Sequence, residues 1–198
     1  MLIIGLTGSI ATGKSTVAMM LRQMRFSVHD ADANVHQLMG PNGAAVAAIT
    51  ACFGADIGDQ ATGINRNRLG NLVFTNPEKK AALEAILHPL VRQHKDQFIK
   101  QARRHRKSAV FLDVPLLFET GGDQACDFVI TIWSPAFIQR QRALRRDGMT
   151  PEKLHAIVQA QYPQPDKKQM SDLALPSSLG RAETNRRLRK WLKSAKLL

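Results

Sequence analysis

The stretch GLTGSIATGKSTVAMML, residues 5–21, decides the fold of this chain. The apolar run Leu2-Ile3-Ile4 precedes it, and its glycine-rich turn ends in Gly13-Lys14-Ser15-Thr16 before a sequence that favours a helix. A strand, a glycine turn and a helix in this order can bind phosphate, because the turn and the helix start present backbone N–H groups to an anion. The sequence therefore predicts a phosphate-binding site at this turn.

The turn matches the phosphate-loop pattern G-x-x-x-x-G-K-[ST] from Gly8 to Ser15. Lys14 is suited to the terminal phosphates of a nucleotide, and the Ser15 hydroxyl is suited to Mg²⁺. The alternative is a glycine turn followed by a helix with a surface lysine, and the strand before the turn disfavours it. The predicted nucleotide-binding residues are Gly8, Ser9, Ile10, Ala11, Thr12, Gly13, Lys14, Ser15 and Thr16.

Composition and charge narrow the class of protein. With 198 residues, 44% of them hydrophobic, the chain can bury one sizeable core. It lacks a long apolar run, and its two cysteines have neither metal-ligand nor disulfide spacing, so we expect a cytoplasmic protein without a membrane segment. A net charge of +12 favours a polyanionic partner, either nucleic acid or a phosphorylated small molecule. A solvated basic surface is the alternative.

The remaining sequence predicts an α/β protein. Strands are expected at 26–28, 109–113 and 127–133, with a weaker candidate at 172–176, whereas residues 41–105 have helical spacing and no convincing strand. Two helices are expected around Gly148, with Ser134 as N-cap and Pro135 at the first helical position, and a basic amphipathic helix closes the chain. The pattern indicates a three-layer α/β/α fold of the P-loop NTPase type, with a parallel sheet and an inserted helical lobe.

Two carboxylates follow the second predicted strand, in Asp30-Ala31-Asp32. A doubly wound sheet brings this position beside the phosphate loop, where a carboxylate can accept the proton of an acceptor hydroxyl. The alternative for either residue is an N-cap for the helix that follows. The sequence contains no Asn/Thr-Lys-x-Asp segment of the kind that binds guanine, which disfavours a GTPase.

Seven segments of the chain are informative in combination: GLTGSIATGKSTVA (5–18), HDAD (29–32), FG (53–54), NRNRLGNLVF (65–74), LHPLV (87–91), DVPLLFE (113–119) and RRDGM (145–149). In this order and at these distances they resemble the dephospho-CoA kinase family, from residue 2 to about residue 150. The resemblance implies ATP- and Mg²⁺-dependent phosphorylation of the ribose 3′-hydroxyl of dephospho-CoA. It also divides the single domain 1–198 into a nucleotide-binding core (1–32, 106–135 and 170–198), a helical acceptor-substrate lobe (33–105) and a helical lid (136–169).

The resemblance assigns roles residue by residue. Asp32 is the implied general base, with Lys14 and Arg142 as further catalytic residues, and Asp30 orders substrate or metal. Arg66 and His88 are implied to bind the acceptor together with the acidic pair, Asp113 to hold Mg²⁺ with Ser15, and Arg142 and Arg146 to contact the nucleotide phosphates from one helix face. The alternatives are a solvated charge for Arg66, a residue preceding a proline-started helical turn for His88, and an ordinary basic helix face for the two lid arginines.

The chain departs from the family pattern at a few positions. Ser9 and Ala11 replace glycines of the family's usual loop, which the loop tolerates if neither position needs a positive φ. Ile157 replaces a polar or basic residue, and Ser177 replaces an asparagine near the adenine. The expected partner is dephospho-CoA, without nucleic acid or membrane, and the oligomeric state stays open. The alternative functions are another small-metabolite or nucleoside kinase, or a nucleic-acid-binding ATPase that uses the basic runs 103–107 and 186–193.

Overall fold

The computed structural model describes residues 1–74 and 76–198 of the chain. Its central element is a five-stranded sheet in the order β2-β5-β1-β6-β7, in which β1 pairs in parallel with β5 and β6, and β6 pairs in parallel with β7. The strands are β1 (Leu2–Thr7), β2 (Ser27–Asp30), β3 (Gly58–Asp59), β4 (Gly63–Ile64), β5 (Ala109–Asp113), β6 (Phe128–Trp133) and β7 (Leu173–Pro176).

Helices flank this sheet, which confirms the predicted α/β class and the strands expected at 109–113, 127–133 and 172–176. Within residues 1–74 and 76–198, no helix combines the length and the apolar character needed to cross a membrane. The helices are α1 (Lys14–Gln23), α2 (Ala31–Leu38), α3 (Val46–Phe53), α4 (Arg66–Phe74), α5 (Pro77–Arg104), α6 (Ala136–Leu144), α7 (Pro151–Gln159), α8 (Gln164–Gln169) and α9 (Arg181–Ser194).

The chain forms two compact units. The core unit comprises Met1–His29 and Ala102–Leu198, and the insert unit comprises Asp30–Gln101. All five residues of β5 are buried, as expected for a strand covered on both faces of a parallel sheet. Helices α1 and α9 pack on the sheet through a shared apolar cluster that includes Ile4, Leu6, Val17, Leu21, Phe111, Ile130, Ile132, Leu175, Leu188 and Leu192.

The insert unit has a separate apolar core, made of residues from α2 to α5. It also contains a short antiparallel pair, β3 with β4, so the expectation of no strand between 41 and 105 is wrong. The two strands have two residues each, which is too short for alternation of apolar residues to indicate them. Asp59 closes the turn between them by accepting hydrogen bonds from the N–H groups of Ala61 and Thr62, both at 2.8 Å.

One further local prediction and one alternative are wrong. Ser134 is not the N-cap of α6, because Pro135 with ψ of 144° is the last non-helical residue and Ala136 begins the helix. The Ser134 N–H donates instead to Gln164 Oε1 at 3.2 Å. His88 does not precede a new helical turn started by Pro89, because α5 runs through this proline for 28 residues. Packing of Leu87, Leu90 and neighbouring apolar residues in the insert unit offsets the lost backbone hydrogen bond.

Candidate active site

The phosphate loop lies between the central strand β1 and helix α1. A Cβ atom at Gly8 would lie 2.5 Å from the carbonyl oxygen of Ile132 and 2.8 Å from Thr12 Oγ1, so only glycine fits there. The Thr12 hydroxyl donates to the Ser9 carbonyl at 2.8 Å and closes the loop internally. The sequence pattern therefore corresponds to a loop whose shape is fixed by its neighbours.

The start of α1 is electrostatically suited to an anion. Its N-cap, Gly13, has φ of 97°, no side chain caps the helix, and the first turn contains no acidic residue. The partial positive charge of a helix N-terminus is thus not neutralised by its own sequence. Lys14 is not a surface lysine, since its side chain is 14% exposed and its ammonium forms an ion pair with Asp113. The alternative of a simple glycine turn with a surface lysine is therefore wrong.

Ala11 adopts a backbone conformation that favours glycine, with φ of 59°. The condition under which the loop tolerates alanine, that φ need not be positive, is not met at this residue. A left-handed conformation costs an L-residue about 1–2 kcal/mol. The Ala11 methyl group is buried in a small apolar cluster with Ala143 of α6 and Leu154 of α7, and this packing offsets part of that strain.

Replacement of Ala11 tests this balance. Ala11→Gly relieves the strain, but it loses the packed methyl group, worth about 0.8 kcal/mol. It also raises the entropy of the unfolded chain, which destabilises the folded state by about 0.5–1 kcal/mol. We expect its free energy of unfolding to stay within about 1 kcal/mol of wild type, whereas Ala11→Val is expected to lose at least about 2 kcal/mol, because a β-branched residue tolerates positive φ poorly. Denaturant unfolding measures both. A valine variant as stable as the glycine variant would contradict the left-handed assignment.

Glutamine side chains hold the loop from outside. The Ile10 N–H donates to Gln161 Oε1 at 3.1 Å, and Gln139 Nε2 donates to the Ile10 carbonyl at 3.0 Å. Gln164 Nε2 in turn donates to Gln139 Oε1 at 2.8 Å. Sequence reasoning missed these residues, because an isolated glutamine carries no motif and its partner lies more than a hundred positions away. They fix the backbone of the loop through Ile10, a position that the phosphate-loop pattern leaves open.

Asp113 ends β5 and lies opposite Leu6 of β1 in the sheet register. Its side chain is 3% exposed and pairs with Lys14, while Ser15 is exposed in the first turn of α1. Among the described residues, no three His, Cys, Asp or Glu side chains cluster as metal ligands. Mg²⁺ needs only one or two carboxylates when substrate phosphates and water complete its shell, so a single carboxylate beside a hydroxyl-bearing loop fits this ion.

Arg142, on α6, lies against the loop. Its Nη1 donates to Ser177 Oγ at 2.9 Å and its Nη2 donates to the Ser177 carbonyl at 3.3 Å. Arg146 does not share a helix face with it, because α6 ends at Leu144 and the Arg146 N–H bonds back to the Ala143 carbonyl in the turn that follows. The prediction of one helix face with both arginines is therefore wrong; Arg146 is exposed.

A buried ion pair holds helix α8 in place. Lys167 of α8 is fully buried, and its ammonium lies 2.7 Å from Glu119 Oε1 and 3.3 Å from the Pro115 carbonyl oxygen. The Tyr162 N–H also donates to Glu119 Oε1 at 2.8 Å. The sequence gives no sign of this pair, because a lysine in a polar segment normally projects into water.

Removal of this lysine is expected to destabilise the protein. Lys167→Met leaves the Glu119 carboxylate, 11% exposed, without its cation, which typically costs about 3–5 kcal/mol. Lys168→Met is the matched control, since it loses a cation–π contact with Trp133 at a half-buried site, worth about 0.5–2 kcal/mol. Lys167→Met with Glu119→Gln is expected to recover part of the loss in chemical denaturation. Equal effects of the two single variants would show that the pair contributes nothing specific.

The acidic pair lies at the start of the insert unit. Asp30 is the N-cap of α2, and its Oδ1 accepts a hydrogen bond from the Ala33 N–H at 2.9 Å. Asp30 therefore does cap this helix, and its predicted role toward substrate or metal stays a prediction. Asp32 lies in the first turn of α2 and is exposed, so the two carboxylates have different local environments.

The other two predicted acceptor-binding residues also belong to the insert unit. Arg66 is the exposed first residue of α4. His88 is exposed on α5, where it borders an open depression that also includes Arg92 and Lys100. The structure thus brings the loop, Asp113, Arg142 and Ser177 together in the core unit, and it assigns Asp30, Asp32, Arg66 and His88 to the insert unit.

A parallel sheet with this loop after its central strand is the fold of phosphate-loop nucleotide-binding proteins. The fold is shared with shikimate kinase from Acinetobacter baumannii in complex with shikimate, with a TM-score of 0.55, 16% identity and coverage of 100% of this chain and 96% of that chain. The likeness is much stronger to dephospho-CoA kinase from Campylobacter jejuni, with a TM-score of 0.72, 26% identity and coverage of 98% and 96%. A structure of TT1252 from Thermus thermophilus has a TM-score of 0.84, 30% identity and coverage of 98% and 97%.

Sequence comparison gives the particular family. The family model for dephospho-CoA kinase matches residues 2–182. The curated dephospho-CoA kinase of Rhodospirillum rubrum is 49% identical over 195 residues, which cover 98% of this chain and 92% of that protein. That of Novosphingobium aromaticivorans is 43% identical over 182 residues, with coverage of 92% and 89%. This chain belongs to the dephospho-CoA kinase family, and the match extends beyond residue 150, where the motifs alone end.

Proposed function

We propose that this chain transfers the terminal phosphoryl group of ATP to the ribose 3′-hydroxyl of dephospho-CoA, giving CoA and ADP. The observation that carries the proposal is a complete phosphate loop, with its lysine in place, in a chain that matches the dephospho-CoA kinase family over residues 2–182. The family match favours this acceptor over other small metabolites and nucleosides.

The loop and its surroundings serve the phosphates of ATP. The N–H groups of Ile10, Thr12 and Thr16 already donate to acceptors within the protein. The other backbone N–H groups of the loop and the uncapped start of α1 offer hydrogen bonds and positive potential to phosphate oxygens. Lys14 supplies a charge that is held by Asp113 before the nucleotide arrives. Arg142 supplies a second charge beside Gly13, since a Cβ at that glycine would lie 3.8 Å from Arg142 Nη1. Both cations stabilise negative charge as the phosphoryl group is transferred. Arg146 remains a proposed contact of the lid with the nucleotide.

Asp113 and the Ser15 hydroxyl are the proposed holders of Mg²⁺. Oxygen donors of this kind would suit a hard divalent cation. When bound, Mg²⁺ neutralises charge that develops on the transferred group.

Asp32 is the proposed general base toward the acceptor. A ribose hydroxyl does not ionise at neutral pH, so a carboxylate must orient it and accept its proton as the new bond forms. Asp32 is exposed in the first turn of α2, whereas Asp30 uses Oδ1 to cap that helix. Asp30 holds the start of the helix that carries the base, and we propose that it also orders substrate or metal. Arg66 and His88 bind the acceptor elsewhere in the insert unit.

The test is direct conversion by the pure protein. With ATP, Mg²⁺ and dephospho-CoA, we expect ADP to appear together with a product that is heavier than the acceptor by one phosphoryl group and co-elutes with CoA. A dephospho-CoA analogue that lacks the ribose 3′-hydroxyl should give neither. The proposal fails if the protein makes no CoA, or if shikimate or a free nucleoside is phosphorylated with a higher kcat/KM than dephospho-CoA.

A further inference from the structure

Ser177 uses both its backbone and its side chain to connect three parts of the core unit. It directly follows β7, and its N–H donates to the Trp133 carbonyl at the end of β6 at 3.0 Å. Its hydroxyl donates to the carbonyl oxygen of Thr12 in the phosphate loop. Its hydroxyl oxygen and its carbonyl oxygen both accept hydrogen bonds from the guanidinium of Arg142, at 2.9 and 3.3 Å.

The direction of these bonds is set by their chemistry. A serine hydroxyl has one proton and two lone pairs, whereas a guanidinium only donates and a carbonyl only accepts. The single Ser177 proton therefore goes to Thr12, and a lone pair remains for Arg142. This arrangement satisfies the Ser177 hydroxyl, the Thr12 carbonyl and the Arg142 guanidinium together.

The contact lies directly against the turn into α1. A Cβ atom added at Gly13 would lie 3.2 Å from both Cβ and Oγ of Ser177, and 3.8 Å from Arg142 Nη1. The guanidinium has further N–H donors beyond the two that bond to Ser177. These remain for phosphate oxygens at the loop.

We propose that Ser177 is a positioning residue that holds the Arg142 guanidinium at the phosphate loop before the nucleotide binds. The proposal rests on the proposed kinase function. An arginine side chain loses substantial rotamer entropy when it is fixed. Because Ser177 already fixes Arg142 in the folded protein, this entropy is lost on folding and not during the reaction. Ser177 stands where the family resemblance has an asparagine near the adenine, and its hydroxyl is committed instead to the loop and to Arg142.

The experiment compares Ser177→Ala with Ser177→Thr, which keeps the hydroxyl, and with Ser178→Ala as a matched neighbour. Because a hydrogen bond to a charged group is stronger than one between neutral groups, we expect Ser177→Ala to lower kcat for CoA formation by about 10- to 100-fold. The KM for dephospho-CoA should change by less than about threefold, since the acceptor is not the group that is positioned. Ser177→Thr should recover most of kcat, and Ser178→Ala should match wild type.

A double-variant cycle separates positioning from a general loss of structure. If Ser177 acts through Arg142, Ser177→Ala combined with Arg142→Ala should have the same kcat as Arg142→Ala alone. Additive losses, or a Ser177→Ala variant with kcat within about twofold of wild type, would overturn the proposal. Rates are normalised to the folded fraction from thermal melts. Ser177→Cys keeps about the same side-chain volume but weakens both hydrogen bonds, so its kcat should fall about as much as that of Ser177→Ala. A wild-type protein without any CoA formation would refute the proposed function itself.

Discussion

Lys14→Ala is expected to abolish measurable phosphoryl transfer, a loss of at least about 10³-fold. The reason is that the Lys14 ammonium is already in place at the loop through its ion pair with Asp113, and alanine removes that charge. A coupled assay of ADP release with saturating ATP and dephospho-CoA measures the loss. Turnover near the wild-type rate would show that the loop is not the donor site.

The control for Lys14→Ala concerns stability. The variant removes the cation that faces a carboxylate of only 3% exposure, so its melting temperature should fall although the secondary structure is unchanged by circular dichroism. Lys14→Ala with Asp113→Asn removes the buried carboxylate charge as well and should regain part of the melting temperature while it stays inactive. Recovery of activity together with stability would mean that Lys14 has only a structural role.

Asp32→Asn is expected to lower the rate of phosphoryl transfer by about two to four orders of magnitude, the usual range for loss of a general base. The amide keeps the size of the side chain and one carbonyl oxygen, but it cannot take the proton of the ribose hydroxyl. Since Asp32 is exposed at the start of α2, the change should leave the stability of the insert unit almost unaltered. Single-turnover rates, with the affinities for ATP and dephospho-CoA measured separately, give the loss in the chemical step.

Asp30→Asn is the matched comparison for Asp32→Asn. Asparagine caps a helix as well as aspartate does, so the bond to the Ala33 N–H and the start of α2 should be retained. We expect a smaller effect on the single-turnover rate than on substrate or metal affinity. If Asp30→Asn alone stops transfer, Asp30 is the base; if both variants stay active, the acidic pair only caps the helix and the proposed mechanism is wrong.

Most of the sheet and its flanking helices could be predicted from local sequence. The apolar runs that became β5 and β6 are continuous because both faces of the sheet are covered, and that burial leaves a clear signal. The β3–β4 pair was not predicted, because a strand of two residues is too short to show an alternation of apolar and polar residues. The end of α6 was misjudged because four-residue spacing between Arg142 and Arg146 suggests a shared face only if the helix continues, and it ends at Leu144.

The candidate site was only partly predictable, for a related reason. Gly8, Gly13 and Lys14 were identified because a phosphate loop needs those residues at fixed local spacing. Ser177 contacts Thr12 across 165 positions, and Gln161 contacts Ile10 across 151 positions, so no local pattern reports either contact. The burial of Lys167 could not be predicted for the same reason, because its partner Glu119 lies on another segment. Sequence motifs therefore predicted what binds phosphate, whereas the residues that hold those groups in place needed the fold.

The sheet order also has a consequence for how the chain folds during synthesis. β1 is made first but lies between β5 and β6, with Ile4 opposite both Phe111 and Phe128, so its backbone groups have no sheet partner until more than a hundred further residues have been made. At about 5–20 residues per second, the apolar segment Leu2–Thr7 therefore waits for seconds without its sheet. A nascent chain halted before β6 should thus be recognised by chaperones and should aggregate when released, whereas one that extends past β7 should not.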